Sequence, residues 1–350
     1  MNRTIRLKNK KIGRGRPVFI VAEISANHGG DFKRAAALIR KAKEAGADAV
    51  KFQTYTADTI TIDSNRKYFV VRHPRWGGQT LHQLYRKAYT PWRWFRRLKK
   101  IADEEGIIFF STAFDKTAVD FLEDLGVPAH KIASFELVDI PLIEYMAKTG
   151  KPIIMSTGMA KKNEIKEAVR AARGAGAGDI ILLKCVSNYP AKPEEMNIRT
   201  IPDMNKRFGC PVGISDHSMG IGVSVAAVSL GAVMVEKHFT LSRRLETPDS
   251  FFSIEPHELR SLVENIRTAE KAIGEVRYGL TGREKRNRVF RRSLFVVKDL
   301  KAGDVLTEEN IRSVRPAHGL APKFLDSVLG RKVKKDVRKG TPLRRDLIKC

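Results

Sequence analysis

Eight short apolar runs recur along the first 240 residues, and segments of helical period separate them: "PVFIVAEIS", "DAVKFQT", "IIFFSTAF", "KIASFE", "PIIMSTG", "IILLKCVS", "PVGISDH" and "MVEKHF". Mostly continuous Val, Ile, Leu and Phe, without polar alternation, is the pattern of strands buried on both faces. The segments between them carry helix signals. "DFKRAAALIRKAKEAGA" opens on Asp31 as an N-cap, places Ala35, Leu38, Ile39 and Ala42 on one stripe, and stops at Gly46. "DKTAVDFLEDLGV" repeats the device from Asp115 to Gly126. Eight strand and helix alternations predict an α/β fold, a parallel (β/α)8 TIM barrel closed by its helices.

The polar residues fall where each run stops. They are Glu23; Lys51 and Gln53; Ser111 and Thr112; Lys131, Ser134 and Glu136; Ser156; Ser187; Ser215 to His217; and Lys237 with His238. One such residue reads as a strand-end hydrogen bond. Eight polar ends read as the rim on which barrels of this type build their active sites.

The segment from Thr54 to Phe95 is longer than a barrel connection needs and is expected to form a lid or a substrate wall. "ELRSLVENIRTAEKAIGEV" closes the barrel domain as its last helix, giving residues 1–274. A polar, charged linker follows over 275–290. Residues 291–350 then show short strands punctuated by Gly, Pro and Asp turns, the mark of a small separate domain.

Composition changes this picture in one respect. Lys and Arg total 65 against 39 Asp and Glu, a formal charge of +26. No acidic residue stands between Arg66 and Lys100, and the last 76 residues hold 21 basic against 9 acidic side chains. Such a surface attracts anions, and nucleic acid or another polyanion is the partner to weigh against plain solvation. Cys185, Cys210 and Cys350 are too few and too scattered for a disulfide framework. The N-terminus "MNRTIRLKNKK" lacks a signal-peptide pattern and no run of eighteen apolar residues occurs, so a cytoplasmic protein with no membrane partner is expected.

The rim also carries chemistry. His217 and His238 end neighbouring strands, close enough to share a divalent ion with open positions for water and substrate; the plain alternative is two imidazoles bonded to backbone. Asp216 is placed to orient an imidazole from behind. Lys51, Lys131, Ser134, Ser156 and Ser215 form a ring of cations and hydroxyls suited to a phosphate with an adjoining carboxylate. Glu23, Glu136 and Asp249 are candidate proton handlers or hydroxyl anchors, or ion-pair partners of those lysines. Joining an enol phosphate to an aldehyde is then one option among aldolases and phosphate lyases.

The motifs "AEISANHGG", "GADAVKFQTYTADT", "HKIASFE", "STGM", "GISDHSMG", "EKHF" and "TPDSFFSIEP" together resemble the sialic acid synthase family across nearly the whole chain. That resemblance implies condensation of phosphoenolpyruvate with an open-chain N-acetylated amino sugar, giving a nonulosonic acid and phosphate. It implies a metal-bearing barrel followed by an antifreeze-like SAF domain of β-clip type. By position it implies His217 and His238 as ligands of a divalent metal, manganese favoured and magnesium or cobalt possible. It implies Lys51, Thr112, Lys131, Ser134, Ser156, Ser187 and Ser215 on phosphoenolpyruvate, and Glu23 as a proton handler. Gln53, Glu136, Tyr189 and Asp249 match sugar contacts. Arg315 of "RPAHGLAP" falls where an arginine reaches in from the partner subunit of a domain-swapped homodimer.

Ser187 and Ser250 stand where neuraminate synthases usually carry asparagine and histidine, and both resemble the pseudaminic acid synthase branch. The expected acceptor is therefore 2,4-diacetamido-2,4,6-trideoxy-β-L-altrose, with N-acetylneuraminate or legionaminate synthesis as alternatives. Phe251, Phe252 and the tryptophans of the long loop are expected to supply apolar surface for that sugar. The reading from another class, a non-catalytic polyanion- or nucleic-acid-binding protein, would require decay of the rim, and no member of the metal and phosphate set is missing.

Overall fold

The computed structural model describes residues 4–73 and 75–349. Cys350 and the first three residues of the N-terminal segment read above lie outside them. The chain forms two compact units, Met1–Gly274 and Glu275–Cys350.

The first unit begins with an antiparallel hairpin, β1 (Ile5–Leu7) and β2 (Lys10–Ile12). Lys8 and Lys10 pair with Asp103 and Asp48, which precede barrel strands, so the hairpin covers the end where the strands begin. Eight parallel strands then close on themselves: β3 (Phe19–Glu23), β4 (Ala49–Thr54), β5 (Ile108–Ala113), β6 (His130–Ile132), β7 (Ile153–Ser156), β8 (Ile180–Cys185), β9 (Val212–Asp216) and β10 (Met234–His238), with β10 hydrogen-bonded to β3. This is the expected TIM barrel. Its strands are almost wholly buried, as continuous apolar runs require.

The helix signals act as read. The Asp31 side chain accepts from the Lys33 and Arg34 amides at the start of helix Phe32–Glu44, whose buried stripe is Ala35, Ala36, Leu38, Ile39 and Ala42. Asp115 caps helix Lys116–Leu125, which ends on left-handed Gly126. Each cap contributes about 1 kcal/mol.

Two readings need correction. "KIASFE" is a strand only to Ile132; Phe135–Val138 forms a 3-10 turn, so Glu136 stands beyond the strand rather than on it. In the long segment, Trp92 and Trp94 pack outward into the helical layer, Trp92 on Phe121 and Trp94 on Phe32 and His28. Of its tryptophans only Trp76 faces the rim.

In the second unit, β11 (Ser293–Val296) pairs antiparallel with β12 (Ile311–Val314). Single bridges such as Leu300 to Val337 and Val333 to Ile348 connect the remaining turns. Leu294, Val296, Leu306, Ile311, Val333 and Leu343 fill its own small core. Among the described residues no helix is long and apolar enough to cross a membrane.

Candidate active site

The strand register decides which polar side chains share the barrel interior. Glu23 lies opposite Lys51, Gln53 opposite Thr112, Thr112 opposite Lys131, Cys185 opposite Ser215, and Ser215 opposite Glu236. With period two along each strand, these residues point inward together. Gly213 keeps the interior narrow, since a Cβ there would stand 2.5 Å from the Met234 carbonyl and 2.8 Å from Leu183.

The floor is a buried charge network. Lys51 Nζ lies 2.8 Å from Glu23 Oε2 and 3.6 Å from Glu236 Oε1, and donates to Thr112 Oγ1 at 3.0 Å. Burial pushes the Glu23 carboxyl up to about 7 against the pull of Lys51. Burial alone would lower Lys51, but Glu23 and Glu236 outweigh it and hold the ammonium protonated. Gln53 Nε2 donates to Glu23 Oε1 at 2.9 Å. Lys131 Nζ donates to Ser156 Oγ at 2.7 Å and to the Ile132 carbonyl; burial draws it down to about 8.

Beside this floor, Ser134 Oγ accepts from the Gly158 amide at 3.1 Å. Ser187 Oγ is buried and has no partner. A Cβ on Gly158 would stand 2.2 Å from Ser187 Oγ and 2.8 Å from Ser134 Oγ, so both hydroxyls border one small space that only glycine leaves open. The Glu136 carboxyl, lifted by burial to about 7, also has one oxygen buried without a partner.

The imidazoles of His217 and His238 lie 5.2 Å apart between ring centroids. His217 Nδ1 is 2.8 Å from the Val186 carbonyl, a contact that needs a proton on Nδ1 and leaves Nε2 as an acceptor. Burial holds His238 well below the usual imidazole range, and therefore neutral; its Nδ1 is buried without a hydrogen-bond partner, 3.9 Å from Asp249 Oδ2. Burial pulls His217 down as well, but the Cys185 thiol 3.8 Å from its Nδ1 and the Val186 carbonyl outweigh it and raise the ring above the usual imidazole range. Two imidazoles side by side are a donor set for a divalent cation, which would bind their unprotonated nitrogens. Among the described residues, three or more His, Cys, Asp or Glu side chains nowhere gather as metal ligands.

Asp216 does not orient a histidine. It faces outward, where Lys237 Nζ donates to it at 3.0 Å and the Ser218 and Ser224 hydroxyls at 2.6 Å. Strand parity explains this: Asp216 and Lys237 are register neighbours on the outer face, while Ser215, Glu236 and His238 look inward. Ser111 likewise turns outward, to Thr54. The sequence reading passed over Glu236, whose signal is its spacing of two from His238.

The loop after β3 holds the loop after β10. Ser25 Oγ donates to Asp249 Oδ2 at 2.5 Å. Asn27 donates to the Phe239 carbonyl and to Ser253 Oγ, and accepts from Thr247 Oγ1. His28, buried and drawn down to about 4, ties Gly30 to Thr90. The motif "ISANH" thus positions Asp249. Ser250 serves its own turn, donating to the Leu245 and Thr247 carbonyls. Tyr189 and Phe252 flank the histidines, Tyr189 at 4.3 Å from His217 and Phe252 at 4.8 Å from His238.

Arg315 belongs to the second unit, where it is exposed and follows β12. Ser293 Oγ donates to the Pro316 carbonyl and accepts from the Gly319 amide, which fixes the loop that carries it.

Comparison with known proteins bears on this arrangement. Residues 38–278 match the NeuB family and residues 291–349 the SAF domain. This chain belongs to the NeuB family. It is 42% identical over 327 residues to the pseudaminic acid synthase of Campylobacter jejuni, covering 93% of this chain and 95% of the relative. With the pseudaminic acid synthase of Helicobacter pylori the identity is 43% over 332 residues, covering 94% and 97%. The crystal structure of an N-acetylneuraminic acid (sialic acid) synthetase from Leptospira borgpetersenii, in complex with citrate, aligns with a TM-score of 0.73 and 34% identity, over 82% of this chain and 95% of that one. The NeuB match and the SAF match bear out the resemblance read from the motifs.

Proposed function

We propose that this chain condenses phosphoenolpyruvate with open-chain 2,4-diacetamido-2,4,6-trideoxy-β-L-altrose to give pseudaminic acid and inorganic phosphate. The observation that carries the reading is the buried floor of Lys51, Thr112, Lys131 and Ser156 beside the paired imidazoles of His217 and His238. It offers cations and hydroxyls to an anion next to imidazoles suited to a cation that meets an aldehyde oxygen. The 42–43% identity to two pseudaminic acid synthases and the serines at 187 and 250 support this acceptor.

Lys51, Thr112, Lys131, Ser134, Ser156, Ser187 and Ser215 hold phosphoenolpyruvate, the ammonium groups against its charges and the hydroxyls around its phosphate. His217 and His238 hold a divalent cation, manganese favoured, which when bound supplies Lewis-acid polarisation of the aldehyde. Gln53, Glu136, Tyr189 and Asp249 orient the sugar hydroxyls and amides. The enol carbon then attacks the aldehyde carbon, water adds at the carbon bearing phosphate, and phosphate leaves. Glu23, raised to about 7, is poised to take the proton from that water. Fixed cations in a dry site need no reorganisation as charge shifts, which is where such sites gain most of their rate. Arg315 completes the sugar site from the partner subunit of a domain-swapped homodimer, so the SAF domain is part of the catalytic assembly. The reaction belongs in the cytoplasm.

The test is phosphate release from phosphoenolpyruvate with manganese and each candidate acceptor, with and without chelator. Chelator-sensitive release with the diacetamido-trideoxy-altrose alone supports the proposal. Preference for N-acetylmannosamine, or for the legionaminate precursor, replaces the acceptor. Release with none, together with retention on heparin that falls steeply with salt, moves the reading to polyanion binding.

A further inference from the structure

We propose that Trp76 sets acceptor specificity by walling the part of the site that receives the end of the sugar remote from its aldehyde. The proposal rests on the reaction proposed above and adds a residue to it.

Trp76 reaches the rim from the long segment between β4 and β5. Its backbone is fixed by the hydrogen bond from the Val71 amide to the Gln79 carbonyl, and by Gln79 Nε2 donating to the Trp76 carbonyl. The indole Nε1 donates to the Pro248 carbonyl at 2.9 Å, across 172 residues of sequence. The polar edge is thereby used, and His73 stacks on one face at 4.3 Å between ring centroids, so what the half-buried ring has left to present is its other, apolar face.

The rings stand in two ranks. Tyr189 and Phe252 each contact both histidines. Trp76 and Phe251 stand behind them: Trp76 lies 6.0 Å from Tyr189 and 6.2 Å from Phe251, and Phe251 lies 5.0 Å from Phe252. Among the described residues neither second-rank ring makes a ring contact with His217 or His238. An acceptor whose aldehyde lies at the histidine pair therefore meets Tyr189 and Phe252 with its first carbons, and Trp76 and Phe251 with its last. Arg75 places its guanidinium over Phe251, 5.4 Å from the ring centroid, so the charged part of this wall lies on the Phe251 side and the uncharged part on the Trp76 side. With its one donor taken by Pro248, the indole favours a methyl beside it over a hydroxymethyl, because the added hydroxyl would lose water and gain no partner from Trp76. The class selected is an acylamino sugar with a deoxygenated terminal carbon.

The experiment compares kcat/KM for the diacetamido-trideoxy-altrose and for its counterpart bearing a 6-hydroxyl, in wild type, Trp76→Ala and Trp76→Phe, with KM for phosphoenolpyruvate measured in each. The wild type is expected to prefer the 6-deoxy acceptor by roughly ten- to a hundredfold. Trp76→Ala should bring that ratio to within about threefold, chiefly through acceptor KM, and leave KM for phosphoenolpyruvate within about twofold, while Trp76→Phe keeps most of the preference. An equal loss on both acceptors, a ratio unchanged in Trp76→Ala, or a matching rise in phosphoenolpyruvate KM overturns the proposal while the parent reaction stands. Turnover of neither acceptor by wild type overturns the parent reading, and the wall with it.

Discussion

Glu23 and Lys51 face each other on adjacent barrel strands, carboxylate to ammonium at 2.8 Å, with both side chains buried. Glu236 Oε1 lies 3.6 Å from the same ammonium. One cation thus holds two carboxylates that could not otherwise share a dry cavity. Lys51→Met should lose turnover and also destabilise the fold by several kcal/mol, because it strands buried charge. Glu23→Gln separates the two effects, since the amide keeps the shape and a hydrogen bond to Gln53. We expect its melting temperature to stay within a few degrees of wild type, phosphoenolpyruvate to bind, and kcat to fall about a hundred- to a thousandfold. A Glu23→Gln enzyme with wild-type kcat would remove Glu23 from the chemistry.

Lys131 gives the pH dependence a sign. Burial draws its ammonium down to about 8, so it is charged below that pH and neutral above. On the proposed reading kcat/KM for phosphoenolpyruvate should fall tenfold per pH unit above about 8. Below about 7 it should fall again as Glu23 and Glu136 take protons. A guanidinium does not titrate in this range, so Lys131→Arg should have a lower plateau and no alkaline limb near 8. An alkaline limb unchanged in that variant would assign the titration to another group.

Much of this architecture was legible because the barrel is written in its burial. Strands covered on both faces read as unbroken apolar runs, and a polar residue closing such a run, as Lys51 or His238 does, has few reasons to be there. Parity was harder to see. Within "VEKHF" the sequence offers Glu236, Lys237 and His238 alike, and only the strand register turns Lys237 outward to Asp216 while Glu236 and His238 look in. The brevity of β6 was hidden because the residues of "ASFE" suit a strand and a 3-10 turn equally. Trp76 could not be told apart from Trp92 and Trp94, with which it was read as apolar surface, for a different reason. Its place is decided by a carbonyl 172 residues away, and no local pattern records such a contact.

Gly158 provides a test of the phosphate side that spares the fold. A methyl there would press on Ser187 Oγ and Ser134 Oγ. Ser187 has no partner and can turn away at little cost, whereas Ser134 would give up the Gly158 amide. Gly158→Ala should therefore melt within a few degrees of wild type while KM for phosphoenolpyruvate rises about tenfold or more and acceptor KM stays level. A rise confined to the acceptor would place this space on the sugar side instead.

Ser25 is held in the left-handed region, at φ +45°, where a residue with a Cβ is strained by about 1 kcal/mol or more. Its hydroxyl is the donor that fixes Asp249 beside His238. Ser25→Gly relieves the strain and removes the donor, and the two act on different observables. Relief contributes about 1 kcal/mol to stability, and loss of a hydrogen bond to a buried carboxylate costs about 1.5–3, so the net change should be a modest loss. Asp249, no longer anchored, should let acceptor KM rise about tenfold while KM for phosphoenolpyruvate stays near wild type. Ser25→Ala keeps the strain and also loses the donor, so it should match Ser25→Gly in acceptor KM and melt below it. Equal melting temperatures would show that the conformation at residue 25 costs nothing. An unchanged acceptor KM in both would show that Asp249 is held by the Ala26 amide and the surrounding turn, without help from the Ser25 hydroxyl.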